Sequence, residues 1–318
     1  MLIMGLKGVF FVIFIGVSVL SLRAQELTEE RSDEDLIIDS FFETDEEQEV
    51  ENLLQTLFKE QKDLNDLIEN FSDFRFLYLS FNYNSDTYFA GRDIGINDYN
   101  VRPQITYLNS HGFFAGISGA YYKQLEPKWD FTSLSVGYGK SFGKNNAFRF
   151  SGSYTRFIYS LTDSNPYTNS VSIGLNLRNK KRTLGTRVSL TESFGSDANF
   201  QITTSLYGMI SLLDKDRYRL QLRPRAYVFM GQQLAYYETD ETEILPDENG
   251  EDQEYIVFKE KQIFDLMNFQ INIPILFTTE KWDVELGFNR NFPFEVGDES
   301  DQRNTNFINI SIGYLLEL

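Results

Sequence analysis

Between positions 217 and 225 the chain reads Arg217-Tyr218-Arg219-Leu220-Gln221-Leu222-Arg223-Pro224-Arg225. In an extended strand successive side chains point to opposite faces, so this spelling sets four guanidiniums on one face and Tyr218, Leu220, Leu222 and Pro224 on the other. Planar, permanently charged donors in a row suit charge-assisted, bidentate binding of anions. Little else in the chain offers chemistry. The absence of cysteine excludes disulfides, thiolate metal sites and cysteine nucleophiles, and the one histidine, His111, sits in the polar turn spelling Asn109-Ser110-His111-Gly112. Among 47 acidic side chains no pair stands out as a general acid and base, and Asp247-Glu248-Asn249-Gly250-Glu251-Asp252 lacks the ligand spacing of a calcium loop. The expectation is therefore a protein that is not an enzyme and needs no cofactor or metal.

The formal net charge of -18 over 318 residues argues against a nucleic-acid partner, because phosphate neutralisation needs a basic face. Its distribution is more informative than its size. Residues 26–51 carry 13 acids and one base, Arg31, and residues 232–262 carry ten acids and two lysines. With Lys7 and Arg23 near the start, these two segments account for the whole imbalance, and the rest of the chain is neutral.

The elements that must position the arginines begin after an export signal. Lys7 precedes a 13-residue apolar run, Gly8 to Leu20, which meets Ser21-Leu22-Arg23-Ala24-Gln25. A positive start, an apolar centre of that length and a small residue at the end describe a secretory signal peptide over 1–24, cut after Ala24. Residues 25–45 are acidic and expected to be flexible. From 46 to 71 the apolar spacing alternates between four and three, through Val50, Leu54, Leu57, Leu64 and Ile68, which predicts an amphipathic helix with a seam able to face a partner.

After Phe71 the period changes to two and stays there, so residues 72–318 are expected to be all-β. Twelve strands are predicted, over 74–83, 99–108, 113–123, 131–142, 147–160, 169–178, 183–194, 199–211, 217–230, 264–278, 281–291 and 306–317. Each is about ten residues or longer, the length a tilted strand needs to cross a bilayer. In 169–178, for example, Val171, Ile173, Leu175 and Leu177 oppose Ser170, Ser172, Gly174, Asn176 and Arg178. Connections alternate between short polar turns and longer loops, as a barrel with one tight rim and one loop-rich rim requires. If the apolar face meets lipid, the polar face lines a lumen, and closure satisfies every strand edge. Aromatics at strand ends (Tyr83, Tyr99, Tyr107, Tyr121, Tyr122, Phe142, Tyr159, Trp282 and Phe292) suit interfacial girdles. Pro224 lacks a ladder donor and predicts a bulge or local break.

This architecture resembles the outer-membrane β-barrel proteins of Gram-negative bacteria, an antiparallel transmembrane barrel of about twelve strands preceded here by one amphipathic helix. The chain's last residues, Ser311-Ile312-Gly313-Tyr314-Leu315-Leu316-Glu317-Leu318, are similar to the barrel-assembly signal, with Gly313, Tyr314, Leu316 and Leu318 at its marked positions; Leu318 stands where family members usually have an aromatic. The Phe/Tyr-rich strands and the Ala-Gln junction resemble barrels of the Bacteroidota. The resemblance implies residence in the cell outer membrane, contact with its lipid and handling by the barrel-assembly machinery.

Extending the alternation places Arg102, Arg149, Arg178, Arg187, Arg217, Arg219, Arg223 and Arg225 on the interior, against Asp283, Glu285 and Glu317. A lumen of that charge predicts a passive, anion-preferring channel for small solutes. Twelve-stranded barrels with arginine-lined lumens are channels for acidic oligosaccharides, and this chain resembles them in strand count and charge placement. The competing expectation is a non-conducting structural or accessory barrel that docks a periplasmic or outer-membrane protein through its helix.

Overall fold

The computed structural model describes residues 75–89, 92–93, 98–142, 147–161, 166–179, 183–215, 217–246, 252–296 and 302–318. The expected signal (1–24), acidic segment (25–45) and helix (46–71), with Val50, Leu54, Leu57, Leu64 and Ile68, lie outside those residues.

Twelve antiparallel strands form one closed wall. They are β1 (Arg75–Asn84), β2 (Asn100–Asn109), β3 (Phe113–Tyr122), β4 (Trp129–Phe142), β5 (Phe148–Tyr159), β6 (Tyr167–Arg178), β7 (Leu184–Gly195), β8 (Ala198–Gly208, continued by Ile210–Lys215), β9 (Tyr218–Leu222, continued by Arg225–Pro246), β10 (Asp252–Thr279), β11 (Trp282–Pro293) and β12 (Thr305–Glu317). Each pairs with its neighbours in sequence, and β12 closes the ring on β1, from Phe76 opposite Glu317 to Asn84 opposite Asn309. The last backbone amide, Leu318 N, donates to Arg75 O at 2.9 Å. With no edge left between first and last strand, the ladder bonds of the ring are satisfied within it.

Period two in the sequence becomes inside and outside in the wall. The exposed large side chains are apolar: Val171, Ile173, Leu175 and Leu177 on β6, Ile273, Ile275 and Phe277 on β10, Ile308, Ile310 and Ile312 on β12. The buried inward positions between them are Ser, Thr, Asn and Gln. Such an inversion, apolar outside and polar inside, is stable only where the outer solvent is lipid; the wall is that of a membrane-spanning β-barrel. The inward hydroxyls and amides satisfy one another, as buried polar groups must. Ser172 Oγ lies 3.2 Å from Ser189 Oγ and 3.0 Å from Thr191 Oγ1, and Asn272 and Asn309 both engage Asn289, at 2.8 and 2.7 Å.

The aromatic girdles follow the same alternation, with one correction. Outward rings pair at the short-turn rim, Phe142 with Phe148 at 5.6 Å and Trp282 with Tyr314 at 4.7 Å, and at the loop-rich rim, Tyr83 with Tyr99 at 5.7 Å and Phe269 with Phe292 at 5.8 Å. Tyr122 and Tyr159, expected in the girdles, turn inward with Phe131 and Phe157. The reason is the pleat: Tyr121 and Tyr122 are consecutive and cannot both face lipid. A second inward apolar cluster, Tyr78, Leu108, Phe114 and Leu315, lies at the short-turn rim. The lumen wall therefore carries an apolar patch at each end.

Two further differences concern the strands. The stretch 231–263, expected as one long loop, is mostly strand: β9 and β10 continue as a hairpin whose pairs run out to Leu245 opposite Gln253 and Pro246 opposite Asp252. Its acids concealed a β-prone spelling of Ile244, Tyr255, Ile256, Val257 and Phe258. Within the first long connection a small ladder joins Tyr88–Phe89 to Arg92–Asp93. The short turn holding His111 is built by Asn109, whose Oδ1 accepts from His111 N and Phe113 N, both at 3.1 Å, with Gly112 at φ 91° where a side chain is disfavoured.

Candidate functional site

The inward arginines divide into two groups and one isolated member. Arg102, third residue of β2, stands opposite Asn82 of β1, toward the loop-rich rim. The other inward arginines lie toward the short-turn rim, where both β1 begins and β12 ends, the periplasmic side by the usual disposition of short turns.

The first group is on β9. Arg223 is 4% exposed; its Nε and Nη2 donate to Gln221 Oε1 at 3.2 and 2.8 Å. Arg225 makes a fork with Glu285 on β11, Nη1 to Oε1 at 3.4 Å and Nη2 to Oε2 at 3.1 Å. Arg223 also feels the charges of Arg225, Glu285 and Asp283. Asp283 in turn accepts from Tyr78 Oη, at 3.2 Å on Oδ1 and 2.9 Å on Oδ2, across Gly313. A Cβ at Gly313 would strike both the tyrosine hydroxyl and the carboxylate, so the glycine is what lets this contact cross β12. Two arginines and two carboxylates thus share one patch of wall.

The remaining members of the arginine row are placed differently. Arg217 sits in the turn between β8 and β9 and is exposed, so it does not line the lumen. Arg219 lies near the tip of the same hairpin, where its Nε donates to Asp214 Oδ1 at 3.1 Å across the turn. Arg219 nevertheless keeps the inward parity of Gln221 and Arg223, opposite Thr278 of β10 in the row that holds Asp283, and its side chain is 13% exposed; three of the four guanidiniums therefore face inward, and Arg217 alone lies beyond the strand.

The row is also interrupted, as Pro224 predicts, though without a bulge at that point. Leu222 faces Ile275 and Arg225 faces Asn272, so the β9–β10 register is unchanged across the gap. Gly208 N donates to Pro224 O at 2.9 Å and Arg223 N donates to Pro274 O at 3.0 Å. The reciprocal bonds do not form, because neither Pro224 nor Pro274 has an N–H. Pro274 therefore doubles the break on the neighbouring strand.

The second group is on β5–β7. Arg149 and Arg187 stand opposite Asn176 from either side, in one row of strand pairs. Arg178, two residues further along β6, reaches Ser141 Oγ on β4 through Nη2 at 3.3 Å. Asn176 and Tyr207 were not singled out as functional in the sequence; Tyr207 Oη donates to Asn176 Oδ1 at 3.0 Å, lying over Gly185 to do so. Only the register brings these residues together, since they come from five strands.

At the outer mouth, Lys123 Nζ lies 2.8 Å from Asp98 Oδ2 and over the Tyr99 ring. The ammonium hydrogen bond, helped by Tyr99 N, holds the Asp98 carboxyl below the ordinary carboxylate range. The assembly-signal residues occupy the closing strand: Gly313 faces inward, Tyr314 packs on Trp282, and Leu316 and Leu318 are exposed on the outside.

No family model and no curated protein sequence matches the chain. Among solved structures it is similar to the KdgM porin, at 8% identity over 74% of this chain and 98% of that one, with a TM-score of 0.42. The NanC porin matches at 10% identity over 75% of this chain and 98% of that one, TM-score 0.39. The Acinetobacter baumannii outer membrane protein Omp33 matches at 11% identity over 77% and 99%, TM-score 0.34. At these identities and scores the likeness is one of barrel shape.

Proposed function

We propose that the protein is a passive outer-membrane channel for small solutes with a preference for anions. The observation that carries the reading is the charge of the inward wall: Arg102 toward one mouth and Arg149, Arg178 and Arg187 toward the other, while the inward carboxylates Asp283 and Glu285 already oppose Arg223 and Arg225. Guanidiniums facing an aqueous lumen favour anions by charge and by donors that replace part of the hydration shell. Proteoliposome swelling tests this with the purified chain. Sugar acids are expected to enter faster than neutral sugars of the same size, and Arg149→Glu with Arg187→Glu to reverse the order. Equal rates for both classes, unchanged by the double substitution, would contradict the reading.

A further inference from the structure

Two arginines interrupt the apolar outer face at the same level. Arg156 on β5 and Arg290 on β11 are exposed, and they have the outward parity of Tyr154 and Ile158 and of Leu286 and Phe288. Both strands rise from short turns, and each arginine comes eight residues after the first outward ring of its strand, Phe148 or Trp282. The outward positions in between are uncharged: Phe150, Gly152 and Tyr154 on β5, Val284, Leu286 and Phe288 on β11. At about 3.3 Å per residue and a tilt of about 40°, that stretch climbs roughly 20 Å of an apolar band about 25 Å tall. A guanidinium on its long stem then reaches the headgroup boundary of the leaflet at the loop-rich rim.

Neighbouring groups hold the side chains there. Arg290 lies over the Phe292 ring, 5.3 Å from its centroid and two residues nearer that rim. Arg156 Nη1 donates to Oδ1 of Asn169, directly opposite on β6, at 3.0 Å, and Tyr154 Oη donates to the same oxygen at 2.7 Å. Asn169 is tied in turn by Nδ2 to Thr168 Oγ1 at 3.1 Å. Arg290 likewise stands opposite an outward asparagine, Asn306 of β12. Among the described residues neither guanidinium meets a carboxylate; Glu192, the outward acid of β7, is two strands from Arg156 and pairs with neither. Exposed apolar side chains flank both, Leu134 and Ile158 beside Arg156, Phe288 and Ile308 beside Arg290. A permanent charge in that setting takes its counter-charge from the lipid.

We propose that Arg156 and Arg290 bind phosphate groups of lipid headgroups in the leaflet at the loop-rich rim. A planar guanidinium fork matches two oxygens of one phosphate. The two arginines are six strands apart in a ring of twelve, so they anchor opposite sides of the wall and fix its height in the bilayer. In an outer membrane the lipid of that leaflet is lipid A, which carries phosphate on its sugars.

Native mass spectrometry of the full-length chain in detergent tests this, with phosphorylated lipid A, the same lipid stripped of its phosphates, and inorganic phosphate as probes. The phosphorylated lipid is expected to bind on the order of tenfold tighter than the stripped one, a preference lost in R156Q/R290Q and kept in part in R156K/R290K. Equal binding of the two lipids by the unsubstituted chain, which needs no variant to fold, would overturn the proposal. So would a preference that survives R156Q/R290Q, or one that inorganic phosphate at the lipid's own concentration abolishes, since the site would then take free anions. The inference rests on the lipid-facing side of the wall and not on conduction; a barrel that passes no solute would contradict the channel reading and leave this one standing.

Discussion

Arg225 and Glu285 sit in the wall with side chains only 9% and 13% exposed, so each charge depends on the other. Removing one partner of such a pair leaves the other buried and unmatched, at a cost of about 3–5 kcal/mol. Arg225→Met is therefore expected to lower the urea midpoint of the detergent-solubilised barrel strongly, and Arg225→Met with Glu285→Met to recover most of the loss; equal midpoints for the single variant and the parent would show that water, not Glu285, satisfies the guanidinium. The inward direction of these residues follows from period two alone. Their partners do not: Arg225 and Glu285 are 60 positions apart, and nothing local in either segment names the other. The same holds for Tyr78 and Asp283, which meet only because the wall closes and Gly313 leaves room.

At the level of strands, the β8–β9–β10 wall keeps its register across a double proline break, so the cost falls on hydrogen bonds alone. A ladder bond contributes about 1 kcal/mol net. Pro224→Val supplies the amide that the Gly208 carbonyl faces and is expected to raise the unfolding midpoint by that order, with new exchange protection at position 224. A lower midpoint with no protected amide would mean that the bond is missing for a geometric reason. Twelve strands, their alternation and the two kinds of turn were legible because each is a local property of spacing. Two features were not. The β9–β10 hairpin beyond the rim reads as an acidic loop because charge density masks its β-prone residues, and the turn at Arg217 reads as strand because arginines continue the alternation past the last lumen-facing position. The arginines' grouping into a β9 cluster and a β5–β7 cluster is set by register, which a single strand's spelling does not encode.

Over the whole molecule the polarity is inverted, lipid outside and polar wall inside. Ile173 is 43% exposed on the outer face and Ser172 is 2% exposed on the inner. Ile173→Lys should cost about 2–4 kcal/mol if its position is near the bilayer midplane, while Ser172→Lys, next to it in sequence, should leave the heat-dependent shift in gel mobility intact. Equal effects of the two would contradict the assignment of faces. The division of charge has the same scale: acidic residues gather in 26–51 and in the β9–β10 hairpin, while the rest of the barrel, residues 75–231 and 263–318, carries 22 bases against 19 acids, with arginines turned inward. The central claim is that these arginines make the lumen an anion-preferring path. Reversal potentials of the purified chain in planar bilayers, measured across a salt gradient with residues 26–71 present and deleted, test it most directly. A potential of the sign set by anion flow, reduced in R149Q/R187Q, is the predicted result; cation preference, or no conductance even after the deletion, would contradict it.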